Sequence, residues 1–200
     1  MNQNRWIFLL LLMFFYGISQ GQKQHIFSSG FLPGNDTVWV FQPKNYSKAH
    51  NFPVVYLLHG WSGNYSGWSK LADLQNYADD YGFIVVCPDG FYDSYYLNSP
   101  EIKNIQFESF FTGVLYPAIN RLYSTDTSKI FISGLSMGGY GAMALFMNNP
   151  ELFLSAGSTS GVMDLSYSSQ RDKRLSELLG EYQTHKEIFF QHSPLFWLKK

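Results

Sequence analysis

Only one cysteine, Cys87, occurs in the 200 residues, so no internal disulfide can hold the fold together. Cys87 closes an apolar run at 83–86 and reads as a small buried hydrophobe rather than a nucleophile. Charge is scarce too. Asp, Glu, Lys and Arg make up 14% of the chain and the formal net charge is −1, which leaves no long-range attraction for nucleic acid or an anionic membrane. There is no His-Glu-x-x-His, no paired Cys-x-x-Cys and no calcium-loop pattern, so neither a metal nor a cofactor is expected. No repeat or low-complexity linker divides the chain. Its unbroken apolar run at 6–16 is too short to span a bilayer as a helix.

Hydrophobic residues, by contrast, are 46% of the chain and aromatics 18%. That suffices for one packed core, with rings to spare for lining a groove. At the N-terminus, Arg5 precedes the apolar run, and the small residues Ser19 and Gly21 sit at −3 and −1 of a cut before Gln22. This is the pattern of a secretory signal peptide. The expected organisation is a signal peptide at 1–21 and one domain at 22–200. The mature protein is expected to be secreted or periplasmic, with no stable membrane insertion after cleavage.

Periodicity gives the fold class. A polar lead with strand-like pieces is followed by a strand at 37–42, stopped by Pro43. Residues 53–58 and 83–87 are short, nearly all-apolar runs, as in strands buried on both faces of a parallel sheet. Between them Trp68, Leu71, Leu74, Ala78 and Tyr81 are spaced for one helix face, with Gly82 placed to end the helix. Residues 91–99 carry no period and read as a loop. A second helical stripe runs from Phe107 to Leu122, and Pro117 inside it predicts a kink. Strand 130–132, helix 137–147 and a fourth strand at 152–156 follow. The tail shows only polar loop and helices, at 175–182 and 186–190. Strands alternating with helices predict an α/β fold with a doubly wound, mostly parallel sheet, whose ligands bind beyond the carboxyl ends of the strands.

Two glycine-rich turns fall at such ends. Gly134-Leu135-Ser136-Met137-Gly138 fits Gly-x-Ser-x-Gly between a β-rich run and a small-residue helix, the placement a nucleophile elbow requires. Ser136 is therefore the candidate nucleophile, with its hydroxyl at a helix N-terminus where the dipole and free amides favour a developing oxyanion. The amide of Met137, directly after it, is one expected oxyanion donor. The other is the amide of Trp61, in the turn after the early strand. His59 in that turn precedes the nucleophile and reads as a residue that shapes the turn.

The segments 54–60 with Gly63 and Trp68, 86–90 (Val-Cys-Pro-Asp-Gly), and the extended elbow 134–142 with its double glycine resemble the esterase D group of α/β hydrolases. That group includes S-formylglutathione hydrolases, feruloyl, acetyl-xylan and enterochelin esterases, and mycolyltransferases. The resemblance spans roughly 35–195. It implies the α/β-hydrolase fold, Ser136 as nucleophile, and Trp61 and Met137 as the oxyanion hole. It also places Tyr95 and Asn98, in the loop 95–99, at the border of the acyl or leaving-group site.

One expectation of that pattern is missing. The triad runs Ser, then Asp or Glu, then His, yet 166–200 shows no buried strand to carry the last two. His192-Ser193-Pro194 resembles a segment that comes before them. The acid and histidine are accordingly expected beyond Lys200, in a domain incomplete at its C-terminus, with Asp164 and His192 as the fallback pair. The activity implied is hydrolysis of carboxylic esters through an acyl-enzyme on Ser136. With an export signal, the expected substrates are carbohydrate-linked or other small esters rather than cytosolic glutathione thioesters. The alternatives are acyl transfer to a sugar and a non-catalytic carbohydrate-binding homologue. Oligomeric state is left open.

Overall fold

In a computed structural model of the chain, residues 21–197 are described. The run at 6–16 expected to be a signal peptide, and Ser19 of the expected cut site, lie outside them. Six strands form one sheet: β1 (Gln22–Phe27), β2 (Asp36–Phe41), β3 (Phe52–Leu58), β4 (Ile84–Pro88), β5 (Thr125–Leu135) and β6 (Ser155–Thr159), in the order β1-β2-β4-β3-β5-β6. β1 and β2 are antiparallel to their neighbours, while β4-β3-β5-β6 is parallel. The polar lead thus becomes an edge hairpin. The apolar runs at 53–58 and 83–87 become the central strands, and β4 is buried at every residue.

The expected helix from Trp68 to Tyr81 divides. Trp68–Lys70 makes one 3₁₀ turn, and α1 (Leu74–Tyr81) starts afresh because the Asp73 side chain accepts the Asn76 N–H. Leu74 and Ala78 of the stripe are buried in the core and Trp68 packs half-buried against them, while Leu71 and Tyr81 are 69% and 70% exposed. Gly82 ends α1 in the left-handed region, at φ +66°. The second stripe becomes α2 (Phe107–Phe110), a π-helical turn (Phe111–Leu115) and α3 (Tyr116–Leu122). Pro117 has no N–H to donate, and the ladder widens immediately before it.

The helix that follows the glycine-flanked Ser136 is α4 (Met137–Asn148). The fourth strand falls later than expected, at Ser155–Thr159. Pro150–Leu152 takes a 3₁₀ turn and Leu154 lies 60% exposed ahead of it. The tail is helical: α5 (Leu165–Ser168), α6 (Lys173–Leu179), α7 (Lys186–His192) and α8 (Pro194–Trp197). The main core joins one face of the sheet to α2–α4 and reaches Leu175, Leu178 and Phe189 in the tail.

Candidate active site

β5 enters the elbow along the strand direction, and α4 leaves it at once. Ser136, between them, has φ +53° and ψ −113°, a conformation that costs a non-glycine residue of order 1–3 kcal/mol. Its N–H donates to the Thr159 carbonyl at the end of β6 (2.8 Å), and its carbonyl accepts from the Tyr140 N–H (3.0 Å). Two glycines permit this turn. A Cβ at Gly134 would lie 2.1 Å from the Gly138 carbonyl oxygen, and one at Gly138 would lie 2.2 Å from the Leu58 carbonyl oxygen. The clashing atoms are backbone, so nothing flexible could give way.

The turn after β3 packs against the elbow. A Cβ on Gly60 would sit 3.2 Å from the Leu135 carbonyl oxygen and 3.6 Å from the Ser136 Cβ. The neighbouring bonds in that turn are Gly63 N–H to the Gly60 carbonyl (3.0 Å) and Ser62 N–H to the Tyr92 carbonyl (2.9 Å). Among the described residues, neither the Trp61 amide nor the Met137 amide donates to a backbone carbonyl. One N–H group in each glycine-rich turn is therefore left without a backbone acceptor.

His59 is 3% exposed. Its Nδ1 lies 2.7 Å from the Gly60 carbonyl oxygen and its Nε2 faces the Asp89 carbonyl. Burial holds its pKa below the ordinary value, only partly offset by the Gly60 carbonyl. The ring ties the turn after β3 to the turn after β4. That second turn is fixed in turn by Asp36, whose carboxylate accepts the N–H groups of Asp89 (3.2 Å) and Gly90 (3.0 Å). Asp36 is fully buried, and desolvation raises its pKa to about 7 against the pull of those two donors. Sequence reasoning passed over Asp36, because an acid opening an alternating strand looks like solvent-facing polarity. Thr159 was passed over as well. It acts through its carbonyl, which no side-chain pattern marks.

The loop 95–99, expected at the border of the acyl or leaving-group site, is largely buried. Tyr95, Tyr96, Leu97 and Ser99 are 1–4% exposed. Tyr95 packs beside Trp61, whereas Asn98 turns away from it. Its side chain donates to the Ser109 Oγ (2.9 Å) and accepts the Ser109 N–H (3.1 Å), holding α2 to the loop.

The fallback pair is not assembled. The Asp164 carboxylate caps α5, accepting the N–H groups of Ser166 and Tyr167. His192 Nδ1 lies 2.9 Å from the Ile188 carbonyl oxygen of its own helix. The two segments do meet, since the Leu165 N–H donates to the Ser193 Oγ, but no hydrogen bond joins Asp164, His192 and Ser136 among the described residues. His25 engages the Tyr123 hydroxyl, and His185 engages Thr184 and the Glu181 carbonyl. None of the described histidine rings is hydrogen-bonded to Ser136.

The model of the family described as Putative esterase matches residues 29–198. The chain belongs to that family. An acetyl esterase from Caldicellulosiruptor saccharolyticus is 28% identical over 178 residues, covering 82% of this chain and 64% of that protein. An S-formylglutathione hydrolase from Arabidopsis thaliana is 26% identical over 165 residues, covering 72% of this chain and 58% of that protein. The chain thus spans less than two thirds of the length of either relative. Among solved structures, an S-formylglutathione hydrolase from Agrobacterium tumefaciens superposes with a TM-score of 0.77 at 24% identity, covering 89% of this chain and 70% of that one. A Staphylococcus aureus fluorophosphonate-binding serine hydrolase, FphF, superposes at 0.73 with 19% identity, covering 89% and 72%. These neighbours establish the α/β-hydrolase fold expected from the sequence.

Proposed function

We propose that this family member is a carboxylic ester hydrolase in which the Ser136 hydroxyl attacks the ester carbonyl. The amides of Trp61 and Met137 receive the oxyanion, and water then releases the acyl group from Ser136. The observation that carries the proposal is the strained Ser136 backbone between β5 and α4, together with the Trp61 and Met137 amides that have no backbone acceptor. Neutral peptide donors fixed by a strand end and a helix start need no reorganisation as charge develops, which is where such sites gain most of their rate.

Among the described residues no histidine ring is hydrogen-bonded to Ser136, and Asp164 and His192 bond within their own segments, so Asp164→Asn and His192→Ala should leave nucleophile reactivity in place. Residues 1–21 are proposed as a cleaved signal peptide, which makes the mature protein secreted or periplasmic and its substrates carbohydrate-linked or other small esters. Among the described residues no helix is long and apolar enough to cross a membrane.

The deciding experiment is labelling of the full chain by a fluorophosphonate. Label should map to Ser136 and vanish in Ser136→Ala. Label that persists in Ser136→Ala, or a wild-type protein that takes none, would overturn the assignment.

A further inference from the structure

Tyr95 lies between the two elements that carry the proposed oxyanion amides. Its ring meets that of Trp61 at 6.0 Å and 75°, and that of Tyr140 at 5.9 Å and 69°. Trp61 bears one amide. Tyr140 stands on the first turn of α4, bonded to the Ser136 carbonyl, and that helix begins with Met137, which bears the other. At 4% exposure the Tyr95 ring is a filled wedge between them.

The backbone under the wedge is strained. Tyr95 and Tyr96 have φ of +54° and +56°, consecutive left-handed residues that each cost roughly 1–2 kcal/mol. The tail helices hold this geometry in place. The Tyr95 hydroxyl donates to the Asp172 carboxylate. Asp172 is itself fixed by capping α6, its other oxygen accepting the Arg174 N–H at 2.9 Å. The Arg174 guanidinium reaches back to Asp93 at 3.2 Å, two residues before Tyr95. On the opposite side, the Ser62 N–H bonded to the Tyr92 carbonyl ties the same loop to the Trp61 turn. Burial and the Asp172 carboxylate both push the Tyr95 hydroxyl above its ordinary pKa, so it remains a donor throughout the neutral range.

We infer that Tyr95 is a positioning residue for the oxyanion site, and that Asp172 at the start of α6 locks it. The segment after β6 would then control how the Trp61 amide lines up with the Met137 amide. This rests on the reading of Ser136 as nucleophile. Donors aimed at a transition-state oxygen act on the rate of attack and little on ground-state binding, so the signature is kinetic.

The test compares wild type, Tyr95→Ala, Tyr95→Phe and Asp172→Asn in the full chain. It measures kcat and KM on p-nitrophenyl acetate, the rate of Ser136 phosphonylation by a fluorophosphonate, and the thermal midpoint. Tyr95→Ala should lower kcat and the phosphonylation rate about tenfold or more with KM little changed. Tyr95→Phe keeps the wedge and loses the lock, so its loss should be smaller, about threefold, and should match that of Asp172→Asn. Combining the last two should add nothing, since they break one bond. Variants that react at the wild-type rate, or that raise KM with kcat unchanged, would overturn the inference. So would losses that merely track the unfolded fraction. If Tyr95→Ala does not fold, Tyr95→Phe and Asp172→Asn decide. A wild type that is never labelled at Ser136 defeats the parent reading instead, whereas a labelled wild type with unaffected variants defeats only this one.

Discussion

On the sheet face covered by α2, α3 and α4, Val54, Tyr56, Leu58, Ile130 and Ile132 are 0–1% exposed and belong to one continuous cluster. On the opposite face the buried cluster is confined to Phe41, Leu74, Ala78, Val85 and Cys87 around α1. The residues that alternate with the first set, Val55, Leu57, Phe131 and Leu135, are only half-buried. The same strands thus supply a close-packed face and a thin one. The elbow's close approach to β3, Gly138 against the Leu58 carbonyl, lies where α4 meets the well-packed strands. Close packing transmits small displacements, so the position of Ser136 should be sensitive to changes on the packed face and tolerant of changes on the thin one.

Gly138→Ala tests that most severely. Its methyl group would meet two backbone carbonyl oxygens, of Leu58 and His59, at 2.2 and 2.5 Å. The variant should lose about 4 kcal/mol or more of stability in denaturant unfolding, and with it the labelling of Ser136. A fully labelled, wild-type-stable Gly138→Ala would break the comparison outright. Ile132→Ala, on the packed face, should cost about 3 kcal/mol in the same measurement.

The packed face also buries a carboxylate, which gives it a pH signature. Asp36 alternates in register with the core residues Val38 and Val40 on β2 and is fully buried. Its pKa is raised by burial to about 7. Because the folded-state value lies above the unfolded one, the folded chain holds the extra proton between them, and this contribution to stability is lost as pH rises through about 4 to 7. Asp36→Asn should therefore gain on the wild type by roughly 2 kcal/mol between pH 5 and pH 8. A difference independent of pH would show that the carboxylate does not titrate in that window. The smallest effect is expected on the thin face. Val55→Ala, adjacent in sequence to the fully buried Val54, should cost only about 1 kcal/mol, and a cost equal to that of Ile132→Ala would show the two faces to be packed alike.

Much of the architecture was legible in the residues because burial on both faces leaves a plain mark. The runs at 53–58 and 83–87 have no polar position to spare, so central parallel strands were their only economical use. The elbow was legible for a different reason. A serine between glycines 134 and 138, after a β-rich run and before a small-residue helix, describes a backbone path that few other residues could follow. Element boundaries were less legible. The helix at 68–81 broke because Asp73 caps a new helix, and β6 moved past Leu154 because its register is set by pairing with β5 rather than by its own apolar residues. A lone strand with little apolar character carries no internal sign of where its ladder begins.

The sequence by itself determined the fold class, the parallel core strands, the elbow and the residue at its tip, since each depends on local covalent geometry and on which side chains tolerate burial. The tertiary structure alone decided what the surrounding groups do. It turned Asn98 towards Ser109, committed Asp164 to capping α5, buried Asp36 beneath the Asp89–Gly90 turn, and set Tyr95 between Trp61 and Tyr140 with its hydroxyl on Asp172. The Tyr95–Asp172 bond joins residues 77 positions apart. Contacts at such a separation arise only when distant segments meet in the folded chain, and no local pattern of residue types specifies which partners will meet.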